Sequence, residues 1–430
     1  MSTSLHYPSS ARASLLRLLC FGLTLGGVLV EAHALPRMSL TAGSPCATCH
    51  ITAQGGGARN EIGWGTELFT RMVGFEKVGL KSWDEAESNG LAGGKVMVGG
   101  DLRMQLARLG KPTPKANPAK GFFNGFDEAN KPAMMFIPMQ FQPYVTVSPN
   151  SWMHLTGSYN ISTLEIGSKR SVMYPGQAPW EAQMVLHFDA KYPQVRVGYL
   201  QPTIGIRHDD HTMLIRSDAL NPRQPAIPAG YAELGGELNY QPVSWLRVDA
   251  GAFLNTNLRA ALGARAINPL GGADKDGLAW LARVSWLPQF LDLGLNTWLG
   301  ASAFGSEEYM LLNGFFGVGK GELGSLQVEV SRGTGAGDYE TLNLMALLSY
   351  NLKEWFVLEA RLEQATASAQ TAVGRAEART RQLVVGAQFF PLPYIELRPE
   401  YRLILSKQDE AGLINEYALG QYTLQVHLFF

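Results

Sequence analysis

The stretch Trp355–Glu363, WFVLEARLE, places Phe356, Leu358, Ala360 and Leu362 on one face of an extended chain and Glu359, Arg361 and Glu363 on the other. Successive side chains of a strand point to opposite faces, so this period of two describes a strand with one apolar and one wetted side. The pattern recurs along the chain. In Lys95–Leu106, KVMVGGDLRMQL, residues Val96, Val98, Leu102, Met104 and Leu106 oppose Lys95, Asp101, Arg103 and Gln105. In Met135–Ser148, Met135, Ile137, Met139, Phe141, Val145 and Val147 oppose Gln140, Gln142, Tyr144, Thr146 and Ser148. Tyr394–Leu405 alternates Ile395, Leu397 and Leu403 with Glu396, Arg398, Glu400 and Arg402. The terminal YTLQVHLFF, Tyr422–Phe430, alternates Tyr422, Leu424, Val426, Leu428 and Phe430 with Thr423, Gln425 and His427.

A soluble antiparallel sandwich also alternates, but it has no use for aromatic residues at strand ends. Here SWMH, SWLRV, AWLARVSW, NTWLG and EWFV stand at such ends, as aromatic girdles at two membrane interfaces require. Turns are short in NYQPVSW, SWLPQFLDLG and FFPLPYIEL, whereas Gly110–Pro132, Pro202–Pro228 and Asn255–Asp276 are long and polar. Short turns on one rim and long loops on the other belong to an outer-membrane barrel. The expected fold is therefore all-β, a transmembrane antiparallel outer-membrane β-barrel of about 16 strands over residues 95–430. Asp101, Arg103, Arg247, Asp249, Glu359, Arg361, Glu363, Glu396, Arg398, Glu400 and Arg402 then line its lumen. There they either pair with and hydrate one another or dock a segment held in the pore, together with the propionates of a haem that it carries.

A formal net charge of -1 and 17% charged residues over 430 positions exclude both a disordered tail and a nucleic-acid-binding surface. Residues 1–34 read as a signal peptide: Arg12 and Arg17 precede the apolar run Leu18–Val30, and AHA offers a small-residue cleavage site before Leu35. That run falls short of the roughly 20 residues of a spanning helix. Cys20 lies inside it, so Cys46 and Cys49 are the thiols expected in the exported chain.

Those two cysteines belong to CATCH, Cys46–His50. The spacing allows two thiols to add to the vinyl groups of one haem, with His50 next in the chain to ligate the iron. Zinc asks for about four ligands and finds no second cysteine pair, while a disulfide or redox dithiol is the remaining alternative. Residues 35–94 carry too few apolar side chains for a core of their own, and a covalent haem supplies one. This span reads as a monohaem cytochrome c segment, or plug, with one short helix expected around WGTELFTRMVGF. The Gly55–Gly57 run is either a sharp turn passing close to the haem or a flexible spacer. For the sixth iron position the candidates are Met38 and Met72 near the motif, His208 and His211 in IGIRHDDHTMLIR, and His154, His187 and His427 on lumen-facing rows. His211 is preferred as distal ligand because Asp209 and Asp210 can orient its other ring nitrogen.

A targeting segment, SPCATCH near the mature N-terminus, GWGTELF after it and a barrel of this length together resemble the fused monohaem cytochrome-porins of iron-oxidising bacteria. The stretch QGGGARNEIG is similar to a broader set of haem-motif barrel proteins. Residue by residue, the resemblance covers Cys46, Cys49 and His50. It implies one covalent haem c held in or at the barrel and electron transfer across the outer membrane, with extracellular Fe(II) as donor in an Fe(II) oxidase-type reaction. The partners expected are outer-membrane lipid, a periplasmic cytochrome or other soluble electron carrier, and an extracellular donor or acceptor. The alternative is a diffusion porin with a structural or sensory haem plug.

Overall fold

The computed structural model describes residues 40–41, 46–55, 57–60, 62–63, 71–79, 90–110, 133–161, 175–189, 191–208, 210, 212–221, 225–263, 265, 267–271, 276–290, 293–321, 323–372, 374–410 and 413–429. The targeting segment 1–34, Met38, Gly56, Asp209, His211 and most of the helix expected at 64–75 lie outside these.

Alternation becomes strand throughout. The barrel strands are β1 (Val96–Leu109), β2 (Ala133–Asn150), β3 (Met153–Tyr159), β4 (Trp180–Leu186), β5 (Gln194–Leu200), β6 (Glu233–Val243), β7 (Leu246–Leu254) and β8 (Leu278–Trp286). They continue as β9 (Leu295–Gly305), β10 (Met310–Lys320), β11 (Gly324–Gly335), β12 (Tyr339–Lys353), β13 (Phe356–Thr371), β14 (Gly374–Leu392), β15 (Ile395–Glu410) and β16 (Leu413–Phe429). Each pairs antiparallel with its neighbours in sequence, and β16 returns to β1 with Gln421 opposite Leu109 and Phe429 opposite Asp101. The result is a closed 16-stranded barrel. Closure satisfies every ladder internally, the condition for strands to cross hydrocarbon.

The predicted faces hold on β1, β13, β15 and β16. Leu106, Leu358, Leu362 and Leu424 are exposed on the outside, while Gln105, Glu359, Arg361, Glu363, Arg402 and His427 are buried within. On β2 the phase is corrected. Arg103 faces Gln140 but Met104 faces Pro138, so Met139 is a bulge and the phase flips before it. Met134 and Phe136 therefore face lipid at 64% and 66% exposure, and Ile137, opposite the buried Gln105, faces inward.

Strand connections at 151–152, 187–193, 244–245 and 287–294 lie on one rim, and those at 110–132, 160–179, 201–232 and 255–277 on the other. The three short turns and three long loops expected fall on these opposite rims, and the connection at 160–179 is a further long one. Trp152, Tyr240, Trp286 and Tyr350 ring the short-turn end, and Tyr159, Trp180 and Trp280 the long-loop end, all exposed. An apolar exterior between two aromatic girdles places the chain in the outer membrane, with the short turns periplasmic. Trp298 of NTWLG departs from the expectation. Leu299 faces outward, so Trp298 points inward and is buried.

The long-loop end holds an apolar cluster of its own. Helix α2 (Thr256–Gly263) buries Leu258 and Leu262 against Leu200, Ile204, Tyr231, Phe253 and Tyr309. The Glu233 carboxylate accepts the Leu258 N–H at 2.8 Å in the first turn, where acidic groups complement the helix dipole.

Candidate functional site

Cys46–Cys49 form one helical turn, α1, which the His50 N–H extends by donating to the Cys46 carbonyl at 2.9 Å. The chain then doubles back: Ile51 N–H donates to Ala58 O and Asn60 N–H to Cys49 O, both at 3.1 Å. The reversal lies at Gly55 (φ +76°) and Gly57 (φ +60°), so the glycine run makes a sharp turn. It also makes a close approach. A Cβ on Gly55 would stand 3.1 Å from the Cys46 Sγ. No disulfide joins Cys46 to Cys49.

This hairpin sits inside the barrel, fastened to the wall by hydrogen bonds. Gln194 of β5 grips the backbone on both sides of Thr52, its Oε1 accepting from Ala53 N–H at 3.1 Å and its Nε2 donating to Ile51 O at 3.3 Å. Arg247 of β7 donates to Ala53 O, and Arg207 donates to Gly55 O at 3.0 Å. Gln54 donates to Gln201 O at 3.3 Å and accepts from the Thr203 hydroxyl at 3.0 Å. Ile51 and Ala58 pack on Met97, Tyr144 and Val185 of the inner wall. Upstream, Leu40 is buried against Trp298 and Phe315, and downstream Met72 and Val73 donate to Phe390 O and Pro391 O at the β14–β15 turn. The described residues between 40 and 79 thus reach the inner wall at β9–β10 and at β14–β15 from the short-turn side.

Beside Cys46 lies a small lumenal cavity. Arg207, Arg216, Arg247 and Arg283 line it together with Ser285, Ile204, Leu287 and Trp298. Asp249, fully buried, accepts from Arg247 at 2.8 Å and from Arg283 at 2.6 Å. Arg283 lies over the rings of Phe315 and Trp298, 5.0 and 5.6 Å from their centroids. Arg247 Nη2, Arg283 Nε and Ser285 Oγ are buried and make no hydrogen bond. Buried donors without partners are costly, so several in one cavity mark a place for an acceptor-bearing ligand. Unsatisfied donors beside the glycine-cleared Cys46 thiol, on a Cys-Ala-Thr-Cys-His turn, suit the polar edge of a haem attached there. Among the described residues no three His, Cys, Asp or Glu side chains converge as a metal set.

Other histidine candidates have partners of their own. His208 Nε2 meets Glu329 at 2.9 Å, His154 Nδ1 meets Ser148 at 2.7 Å, and His427 bridges Asp101 at 3.1 Å and Glu396 at 3.0 Å. His187 is exposed on the short-turn rim. Met72 is also exposed, at the β14–β15 turn. His211, the preferred distal candidate, lies outside the described residues.

The lumenal charges divide into two groups. Arg361 pairs with Glu363 at 3.0 Å and Asp210 at 3.1 Å, and Arg398 with Glu359 at 3.2 Å and Glu400 at 2.7 Å, forming a ladder on β13–β15. Arg247 instead reaches the hairpin. Arg196, fully buried on β5, bonds Glu237 at 3.1 Å, Gln183 at 3.0 Å and Gln201 O at 3.2 Å, and holds the base of the 201–232 loop. Sequence reading missed Arg283, Ser285 and Trp298. In AWLARVSW the polar positions 283 and 285 alternate with Val284 and Trp286, which was the available signal.

No protein-family model matches the chain, and no curated protein matches it. Among solved structures, the outer membrane channel DcaP of Acinetobacter baumannii is similar at a TM-score of 0.51 and 8% identity, over 78% of this chain and 97% of that one. OmpT of Vibrio cholerae gives 0.47 and 10% over 78% and 97%, and the anion-selective porin of Comamonas acidovorans 0.47 and 11% over 78% and 99%. The fold is that of an outer-membrane porin.

Proposed function

We propose that this porin-like barrel is an outer-membrane electron conduit, with one c-type haem held in its lumen by Cys46, Cys49 and His50. The observation that carries the reading is the placement of the Cys46–His50 turn inside the barrel, beside a cavity with unsatisfied donors. A haem bound there supplies an iron that changes charge by one electron without transfer of atoms. The two thiols would hold it covalently and His50 would ligate the iron. Gln194, Arg207 and Arg247 fix the hairpin, and Leu287 and Trp298 give the cavity one apolar side. The bilayer core is about 30 Å thick, wider than one such group, so a soluble periplasmic carrier has to approach the short-turn rim. The external partner is an electron donor such as Fe(II).

The test uses purified protein in detergent. Covalent haem must survive denaturation, and anaerobic Fe(II) must shift the haem absorption bands to the reduced form. If dithionite reduces the haem and Fe(II) does not, iron is not the donor. If denatured protein carries no haem, the conduit reading fails.

A second reading is a solute channel with the 40–79 segment as plug. The likeness in fold to an outer-membrane channel favours it. Solute flux through reconstituted protein, unchanged by reduction, supports that reading over the first.

A further inference from the structure

Cross-strand pairing on β7 and β8 sets Arg247 opposite Ser285 and Asp249 opposite Arg283. All four point into the lumen, and the arrangement is a compact square of buried polar groups. Its charge does not balance. The two guanidinium groups share the single Asp249 carboxylate, so the square keeps one net positive charge. Nor are its donors used up. Arg247 is 4% exposed, Arg283 7% and Ser285 1%, and each has an unbonded donor atom. Burying a charge or a donor without compensation is unfavourable by several kcal/mol, so a fold retains such a square when a ligand completes it.

The geometry of the missing partner follows. It must accept hydrogen bonds from two guanidinium groups and a hydroxyl, and it must carry negative charge. It must also reach the square through the cavity that Cys46 borders. Guanidinium forks match carboxylates in shape and hydrogen-bond count. Ile204, Leu287 and Trp298 line the same cavity beside the polar square.

We propose that this cavity is a carboxylate-binding site, with Arg247, Arg283 and Ser285 as donors and the propionates of the haem attached at Cys46 as occupants. The identity of the occupant rests on the electron-conduit reading; the preference for a carboxylate does not. The site orients the haem about its thioether bonds, and its positive charge favours the reduced iron.

The test uses the full chain with its haem, compared with Arg247→Gln, Arg247→Lys and Ser285→Ala. Heat-modifiable migration on a gel reports whether each barrel has folded, and haem retained after denaturation reports attachment. Arg247→Gln is expected to lower the haem midpoint potential and shift the propionate-bending bands in resonance Raman spectra. Arg247→Lys restores the potential in part, and Ser285→Ala shifts the bands with little change in potential. Ser285→Ala removes one hydroxyl, so it keeps the test open if the arginine variants do not fold. Unshifted bands and potential in folded, haem-bearing variants overturn the propionate assignment.

A second arm separates the sources of carboxylate. Cys46→Ala/Cys49→Ala protein, which cannot attach haem, is titrated with succinate by calorimetry. Binding that weakens at least tenfold on adding Arg283→Gln supports a carboxylate site. If the parent protein carries no haem, that result assigns the site to a free carboxylate, and absence of succinate binding then overturns the proposal entirely.

Discussion

Gly63 lies directly on the backbone of Cys49: a Cβ at position 63 would stand 2.1 Å from the Cys49 carbonyl oxygen. The contact is reinforced from the other side, where Asn60 Oδ1 accepts the Gly63 N–H at 2.9 Å and Asn60 N–H donates to that same Cys49 carbonyl. Gly63→Ala therefore has to push the hairpin away from α1. Overpacking of this kind costs about 1–3 kcal/mol. The barrel ladder is untouched, so the variant is expected to remain heat-modifiable on a gel while the yield of covalent haem per folded barrel falls. Equal haem yield in variant and parent would show that α1 tolerates the displacement.

Arg196 and Glu237 form a fully buried pair that also holds the loop base through Gln201 O and the Thr203 N–H. Removing one member leaves the other charged and dry. Arg196→Met is expected to destabilise the barrel by about 3–5 kcal/mol, read as a lower urea midpoint in lipid vesicles. Adding Glu237→Gln removes the stranded charge and should recover part of that loss. A double variant no better than the single one would mean that the cost lies in the lost loop contacts.

The wall of the barrel was legible wherever charge marked one face. Glu359, Arg361 and Glu363 fix the phase of β13 because no lipid-facing row tolerates them. Met134–Met139 carry no polar residue, so nothing in that stretch reveals the bulge at Met139. Trp298 was misplaced for the same reason: Trp298 and Leu299 are both apolar, and only the closed ladder decides which enters the lumen. Cys46, Cys49 and His50 stand out by spacing alone. The square around Asp249 does not, because Arg247 and Arg283 are joined by register across β7 and β8 and meet Cys46 only when the N-terminal hairpin folds back inside.

The exterior offers a depth-dependent check. Leu362 is 60% exposed within β13, and Leu352 is 45% exposed beside the β12–β13 turn. A cation near the bilayer midplane costs about 2–4 kcal/mol, against roughly 0–1 near an interface. Leu362→Arg should accordingly lower the unfolding free energy in vesicles by several times the effect of Leu352→Arg. Equal effects would mean that the membrane sits elsewhere along the barrel.

The 201–232 loop is tied across the lumen to the ladder on β13–β15. Asp210 Oδ2 meets Arg361 at 3.1 Å and Arg402 at 3.8 Å, and Glu363 accepts the Leu214 N–H at 2.8 Å. Hydrogen bonds to charged groups contribute about 1.5–3 kcal/mol each. Losing one therefore raises the open population of this loop roughly tenfold or more. Asp210→Asn removes the charge while preserving size, and Glu363→Gln weakens the second tether. Each should raise open-state occupancy in single-channel recordings from planar bilayers, and together they should raise it further. Conductance unchanged by both would locate the barrier in the 40–79 segment, since Gln194 and Arg207 hold that segment independently of Asp210. The discriminating variant is then Gln194→Ala, which releases the Ala53 N–H and Ile51 O contacts at once.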